Sequence, residues 1–275
     1  MRPRIAAGRF LIRLGRFIHS LAPAVMRPGD LIEFSRRCYA APDQVESFCG
    51  DQTAGRGLSE RENDLLAGIP LKSGRMLLLG AGGGREAIPL ARKGFAVTVV
   101  DYVPEMVRRT LARAREMGLE MAGEVQEISG LEAPADSFDI AWLSAGMYSC
   151  IPTRKRREDA LKRIAAALRP GGYFLTQMIW QERAFPAAGG ERLRRFLAIA
   201  TRGNIGYETG DRIWNDREFM HVFSSEEDVR AEFAAGGLKV LMMKIFNDEG
   251  SASLIGRKEP HSPEAGAGMK KNKSD

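Results

Sequence analysis

The sequence predicts an α/β fold, a doubly wound and mostly parallel sheet closed by a hairpin and preceded by helices. Three observations carry this. Residues 75–101 read as strand, glycine loop, helix and strand. Further strands alternate with helices as far as residue 179, the pattern of a parallel sheet covered on both faces. Residues 238–246 and 251–257, separated by Asn247-Asp248-Glu249-Gly250, read as a closing hairpin.

The first of these segments organises the chain. Met76, Leu77, Leu78 and Leu79 form an apolar run without polar alternation, as expected for a strand buried on both faces. Gly80, Gly82, Gly83 and Gly84 then allow a sharp turn and a close approach of backbone N–H groups to a ligand. A helix opens near Glu86, with Pro89 in its first turn. The next strand, 96–100, ends on Asp101. A carboxylate there, beside the loop, is placed to accept hydrogen bonds from ribose hydroxyls. The expected ligand is nucleotide-like and lies across the strand tips.

The flanking elements follow in order. Residues 4–21 read as an amphipathic helix, with Arg9, Arg13 and Arg16 opposite Phe10, Leu14, Phe17, Ile18 and Leu21. Arginines interrupt its apolar stretch, so it is not a secretory signal. Three readings stand: a helix packed on the main body, a helix on an anionic membrane surface, or an Arg-rich organelle transit peptide. Pro23, Pro28 and Gly29 break it, and a short helix is expected from Asp30, as N-cap, to about Tyr39. Residues 40–57 read as loop. Ser59 with Glu62 resembles a capping box for a helix to about Ala67.

Beyond Asp101, residues 104–117 read as a helix whose core face is Val107, Leu111 and Ala114. Residues 122–126 suggest a weak third strand ending at Glu127. Asp136-Ser137 turns into a strand over 138–143, tipped by Ser144-Ala145-Gly146. A helix over 154–168 ends at Arg169-Pro170-Gly171-Gly172, before a strand over 173–179. Residues 180–222 break the rhythm with Trp180, a turn at Phe185-Pro186, a helix near 191–201, and Trp214 close to His221. At the strand-tip face, such an insertion is where a substrate pocket or lid sits. Ser224 with Glu227 opens a helix to about Ala235, and the tail over 259–275 reads as disordered. The expected division is an N-terminal arm and cap over 1–55, a ligand-binding domain over 56–258, and that tail.

Composition bounds the function. Cys38, Cys49 and Cys150 are too few for a disulfide framework and suit a reducing, cytoplasmic setting. His19, His221 and His261 are scattered, so no metal site is expected, and no apolar run approaches a membrane span. The net charge is +6, and six arginines precede the first acidic residue, Asp30. Without them the chain balances 35 basic against 35 acidic residues, so the basic character belongs to the arm.

A glycine loop also occurs in dinucleotide enzymes. Here Gly80-x-Gly82-x-Gly84 is followed by Arg85 where the dinucleotide fingerprint wants glycine, which counts against NAD or FAD. The loop, Asp101, the turn-strand Asp136-Ser137-Phe138-Asp139-Ile140-Ala141 and Leu168-Arg169-Pro170-Gly171-Gly172-Tyr173-Phe174 together resemble the class I S-adenosylmethionine-dependent methyltransferases. The resemblance covers about residues 56–257. It implies a Rossmann-like seven-stranded sheet with an antiparallel last strand, and S-adenosyl-L-methionine as cofactor. The backbone of Gly80, Ala81, Gly82 and Gly84 would face the methionine part. Asp101 would hold the ribose, with Tyr102 beside the adenine. Glu127 would take the adenine amino group, with the Ile128 backbone alongside, and Ser144 would lie near the sulfonium. The alternatives are a helix cap for Asp101 and a solvated loop charge for Glu127.

The sulfonium already activates its methyl group, so the protein need only orient a nucleophile and exclude water. A general base matters only for a protonated acceptor; Tyr148 and His221 are the sequence candidates. The Asn/Asp-Pro-Pro-aromatic motif of nucleobase amino-methylating enzymes is absent, as is the Pro-Cys pair of cytosine C5 methylating enzymes. With a charge-neutral body this argues against nucleic acid. The sequence reading is a methyltransferase moving a methyl group to an O or N atom of a small molecule. Trp180 and Trp214 suggest a partly apolar pocket. Alternatives are a lipid or quinone-like acceptor met at a membrane through residues 4–21, a catalytically silent cofactor-binding regulatory module, and a nicotinamide-dependent oxidoreductase.

Overall fold

A computed structural model describes residues 2–182 and 190–260. The Phe185-Pro186 turn and almost all of the expected tail lie outside the described residues.

The N-terminal part is helical throughout. It comprises α1 (Pro3–His19), α2 (Ala22–Val25), α3 (Pro28–Tyr39), α4 (Pro42–Cys49), α5 (Asp51–Ala54) and α6 (Glu60–Ala67). α1 buries none of its residues, so the expectation that its apolar face packs on the main body does not hold. α3 starts two residues before the expected N-cap: Asp30 sits inside the first turn, and its carboxylate accepts from the Arg27 N–H at 3.0 Å. The expected loop over 40–57 contains α4 and α5 instead. Pro42 pre-sets the first turn of α4. Its buried Val45 and Cys49 pack on Val103 and Met106, so tertiary contact supplies what local propensity does not. The capping box of α6 is present, with Ser59 N–H donating to Glu62 Oε2 at 2.7 Å.

The sheet and its helices follow as β1 (Gly74–Leu79), α7 (Ala87–Arg92), β2 (Phe95–Asp101), α8 (Pro104–Glu116), β3 (Ala122–Val125), β4 (Phe138–Leu143), α9 (Arg154–Ala167) and β5 (Leu168–Ile179). Then come α10 (Glu191–Ala200), a hairpin of β6 (Asp211–Trp214) and β7 (Glu218–His221), α11 (Glu226–Ala235), β8 (Leu238–Phe246) and β9 (Ser251–Lys258). The seven-stranded sheet has the order β3-β2-β1-β4-β5-β9-β8. β9, the last strand in sequence, runs antiparallel to both of its neighbours. This is the Rossmann-like architecture expected.

Period-two alternation divides the strand residues between two apolar cores. Leu77, Leu79, Ala141, Leu143 and Phe174 face α9 and α11, while Met76, Leu78, Ile140, Trp142 and Leu175 face α6, α7 and α8. Both faces are covered, which is why these strands read as unbroken apolar runs. β3 is an edge strand with little burial, which accounts for its weak sequence signal. Two boundaries differ from expectation. The Arg169-Pro170-Gly171-Gly172 stretch belongs to β5, where Leu168 pairs with Phe138 ahead of a register shift. α11 is capped by Ser225, whose Oγ accepts from Asp228 N at 3.1 Å, one residue later than the Ser224–Glu227 spacing suggested.

Candidate active site

The strand order reverses between β1 and β4, and the loops that follow their paired tips border a crevice. β1 ends at Leu79 and the glycine loop begins there. Gly80, Gly82 and Gly84 have φ of +80°, +48° and +87°, conformations that a side chain would strain. Gly80 N–H donates to Val100 O at 2.8 Å, and Thr110 Oγ1 donates to Gly82 O at 3.0 Å, so the loop is pinned between β2 and α8. Gly83 is required for a different reason. A Cβ there would lie 2.2 Å from the Phe48 carbonyl oxygen and 2.5 Å from Cys49 Cα, because α4 rests directly on the loop.

Two adjoining cavities open beside this loop, with volumes of about 740 and 450 Å³ including their mouths. They share Gly80, Asp101, Tyr102 and Met147. The larger is also lined by Gly82, Gly83, Glu86 and Ser144, and is roofed by Tyr39, Phe48 and Thr53. The smaller is lined by Glu127, Ile128 and Cys150 under Ile32 and Ser35. The helices α3 to α5 therefore form the roof. α3 is fastened to the β6–β7 hairpin: Ser35 Oγ accepts from Phe219 N at 2.9 Å, and Tyr39 Oη donates to Glu218. Insertion and N-terminal cap thus make one wall.

Asp101 sits at the tip of β2 with 8% of its surface exposed. Oδ2 accepts from Gly82 N–H at 3.1 Å and Oδ1 from Val103 N–H at 2.9 Å. It therefore joins the loop to the following turn and does not cap α8, whose N-cap residue is Val103. Burial pushes its carboxyl up to about 6, against the pull of those backbone bonds. A buried carboxylate with spare lone pairs suits a pair of hydroxyl donors.

Glu86, four per cent exposed, is a carboxyl that sequence reasoning did not single out. It lies two residues beyond Gly84, accepts from Ser144 Oγ, and pairs with Arg85. Arg85 is committed elsewhere as well. Its Nη1 and Nη2 donate to Glu62 at 2.7 and 2.6 Å, and Nη1 also donates to Gly57 O at 3.0 Å. Burial opposes the charge of Glu62, but Arg85 and Ser59 outweigh it and hold that carboxyl below its usual range. Glu86 is pushed up by burial, with Arg85 opposing. One cation is thus shared by two buried carboxylates, and Asp101 adds a third. The lining carries negative charge to spare, which suits a cationic ligand and opposes a pyrophosphate.

The other candidates fall as follows. Ala81 is fully buried in the core, and Gly84 packs against Thr110 and Ile88, so neither lines a cavity. Glu127 and Ile128 line the smaller one. Both carboxylate oxygens of Glu127 are in use: Ser129 N–H donates to Oε1 at 2.9 Å, and Arg156 Nη2 to Oε2 at 3.2 Å. Ser144 N–H donates to Leu79 O at 3.1 Å and is followed by Ala145 and Gly146 at φ of +39° and +79°, a sharp turn at the cavity edge. Tyr148 and His221 do not reach the cavities. Tyr148 Oη donates to Glu232 within the core, and His221 Nδ1 pairs with Asp211 Oδ1 at 2.8 Å across the β6–β7 hairpin. Trp180 is a core residue and Trp214 is surface-exposed, so the apolar lining comes from Tyr39, Phe48, Met106 and Met147 instead. Among the described residues, Glu208, Asp211 and His221 bring donor atoms within 4.8 Å of one another. Arg157 already pairs with Glu208 at 3.0 Å, and His221 with Asp211.

Residues 76–172 match the family model of the methyltransferase domain. A S-adenosylmethionine-dependent methyltransferase from Methanosarcina mazei superposes with a TM-score of 0.56 at 20% identity, over 74% of this chain and 99% of that one. Residues 76–172 carry a methyltransferase domain. A second solved methyltransferase is the 1,6-didemethyltoxoflavin-N1-methyltransferase of Burkholderia thailandensis, with bound 1,6-didemethyltoxoflavin and S-adenosylhomocysteine. It superposes with a TM-score of 0.56 at 19% identity, over 83% of this chain and 88% of that one. A ubiquinone biosynthesis O-methyltransferase of Xylella fastidiosa is 32% identical over 138 residues, 48% of this chain and 54% of that protein. The matches span about a third to just over half of the curated relatives' own length. S-adenosylmethionine is the cofactor of the methyltransferase domain, and the carboxylate-rich, aromatic-roofed lining suits its sulfonium and ammonium charges.

Proposed function

We propose that the protein transfers a methyl group from S-adenosylmethionine to an O or N atom of a small molecule. The observation that supports this most is the pair of buried carboxylates, Asp101 and Glu86, facing one cavity whose only lining arginine is already held by Glu62. In this reading Asp101 accepts from the ribose hydroxyls and Gly80 and Gly82 approach the methionine part. Glu86 with Ser144 receives the ammonium group, and Tyr102, Glu127 and Ile128 border the adenine. When bound, the cofactor supplies an activated methyl group.

The remaining work falls to the chain. Tyr39, Phe48 and Met147 exclude water and hold an apolar acceptor beneath the roof. A hydroxyl acceptor would hand its proton to the Tyr39 oxygen as the Tyr39 proton passes to Glu218, which burial holds ready above the usual carboxylate range. Tyr148 and His221 take structural roles instead.

A second reading, a lipid or quinone-like acceptor, draws on the aromatic roof and on the similarity to the Xylella fastidiosa relative. Incubation with methyl-labelled S-adenosylmethionine and a panel of phenols, amines and long-chain quinols separates these readings. Label entering one class of acceptor identifies it. Tight binding of S-adenosylhomocysteine with no label transfer across the panel would overturn the enzymatic reading in favour of a silent regulatory module.

A further inference from the structure

We infer that the protein docks on an anionic lipid bilayer through a surface made jointly by α1 and α10. Among the described residues, most of the large apolar side chains left exposed lie on these two helices. On α1, Phe10, Leu11, Leu14 and Phe17 are each at least 41% exposed. On α10, Phe196 and Ile199 are exposed by 65% and 67%. Apolar surface concentrated in this way marks an interface. The two helices adjoin. Arg194 of α10 donates to Ser20 Oγ at 2.8 Å, at the C-terminal end of α1, and Asn204 N–H donates to Ala24 O at 2.9 Å.

Charge selects the occupant. Arg2, Arg4, Arg9, Arg13, Arg16 and Arg27 precede any acidic residue, and Arg192 stands on α10. Arg9, Arg13 and Arg16 follow one strip of α1, and Phe10, Leu14 and Phe17 follow the strip beside it. A second copy of the chain would bring the same arginines against these, and like charges oppose such pairing. A bilayer with anionic headgroups accepts both strips, taking the apolar side chains at the acyl boundary and the arginines among the phosphates. No helix among the described residues is long and apolar enough to cross a membrane, so α1 lies in the plane of the surface. From α1 and α2 the chain passes directly into α3, which carries Ile32, Ser35 and Tyr39 of the cavity roof. Docking would hold that roof at the lipid surface. The inference does not depend on methyl transfer.

Vesicle flotation of the full chain tests it, with phosphatidylcholine alone and with about a third phosphatidylglycerol. The protein is expected to float with the anionic vesicles and not with the neutral ones. Phe10→Asp with Phe17→Asp should abolish flotation, as should Phe196→Asp with Ile199→Asp. Replacing Arg9, Arg13 and Arg16 by Gln should lower partitioning on the order of a hundredfold, since each arginine near an anionic surface contributes roughly fivefold. All three variants should keep the wild-type melting temperature and affinity for S-adenosylhomocysteine, because these side chains lie outside the cavities. Failure of the wild type to float with anionic vesicles would overturn the proposal. So would undiminished flotation of either apolar variant, or a stable dimer in sedimentation that Phe10→Asp breaks while vesicles go unbound.

Discussion

Asp101 combines burial, two backbone N–H bonds and spare lone pairs at the tip of β2, and its carboxyl is raised to about 6. Two pH effects of opposite sign follow. Between the ordinary value of 3.8 and about 6, the folded chain holds a proton that the unfolded chain releases, so this group's contribution to stability is lost as pH rises through that window. Ligand binding runs the other way, because ribose hydroxyls need the ionised carboxylate. Affinity for S-adenosylhomocysteine should fall about tenfold per pH unit below 6, and Asp101→Asn should flatten that profile in calorimetry. Tyr39→Phe tests the proton route: with a hydroxyl acceptor it should lower kcat on the order of a hundredfold while leaving cofactor affinity unchanged. Asp101 was legible because a carboxylate at a strand end beside a glycine loop is a local pattern. Glu86 was not, because its burial depends on Ser144, 58 positions away in sequence.

At the level of elements, the contact between α4 and the glycine loop is the most informative. Gly83→Ala would drive a methyl group into the Phe48 carbonyl, so either α4 lifts or the loop shifts. We expect a loss of about 1–3 kcal/mol, read as a lowered melting temperature, together with weaker S-adenosylhomocysteine binding as the roof opens. β1, β2, β4 and the helices between them were legible from apolar periodicity and loop glycines. α4 and α5 were not, since their eight and four residues form too short a run to show a helical period. Their stability comes from the protein body, through Arg109 to Glu46 at 2.7 Å and Arg113 to the Cys49 carbonyl at 2.8 Å. The Ser225 cap shows the same limit, because two adjacent serines offer two registers and only packing chooses between them.

Across the whole molecule, two apolar cores fix the sheet, and a buried polar network fastens the insertion to it. Arg157, 1% exposed, donates to Glu232 at 2.8 and 3.0 Å and to Glu208 at 3.0 Å, joining α9, α11 and the segment before β6. Arg157→Ala would strand two carboxylates and should cost about 3–5 kcal/mol in denaturant unfolding. Such a network has no sequence signature, since its members lie 51 and 75 positions apart. The mostly parallel seven-stranded sheet and its reversed last strand were foreseen, whereas the wall built from cap and hairpin was not. That wall explains why the segments proposed to meet the acceptor were the least readable in the sequence. The central claim is that the cavity beside Asp101 binds S-adenosylmethionine. Calorimetric titration with S-adenosylhomocysteine tests it most directly. One site per chain is expected, weakened roughly 10- to 150-fold by Asp101→Ala through the loss of charge-assisted hydrogen bonds. Unchanged affinity in that variant, or preferential binding of NAD(P), would contradict it.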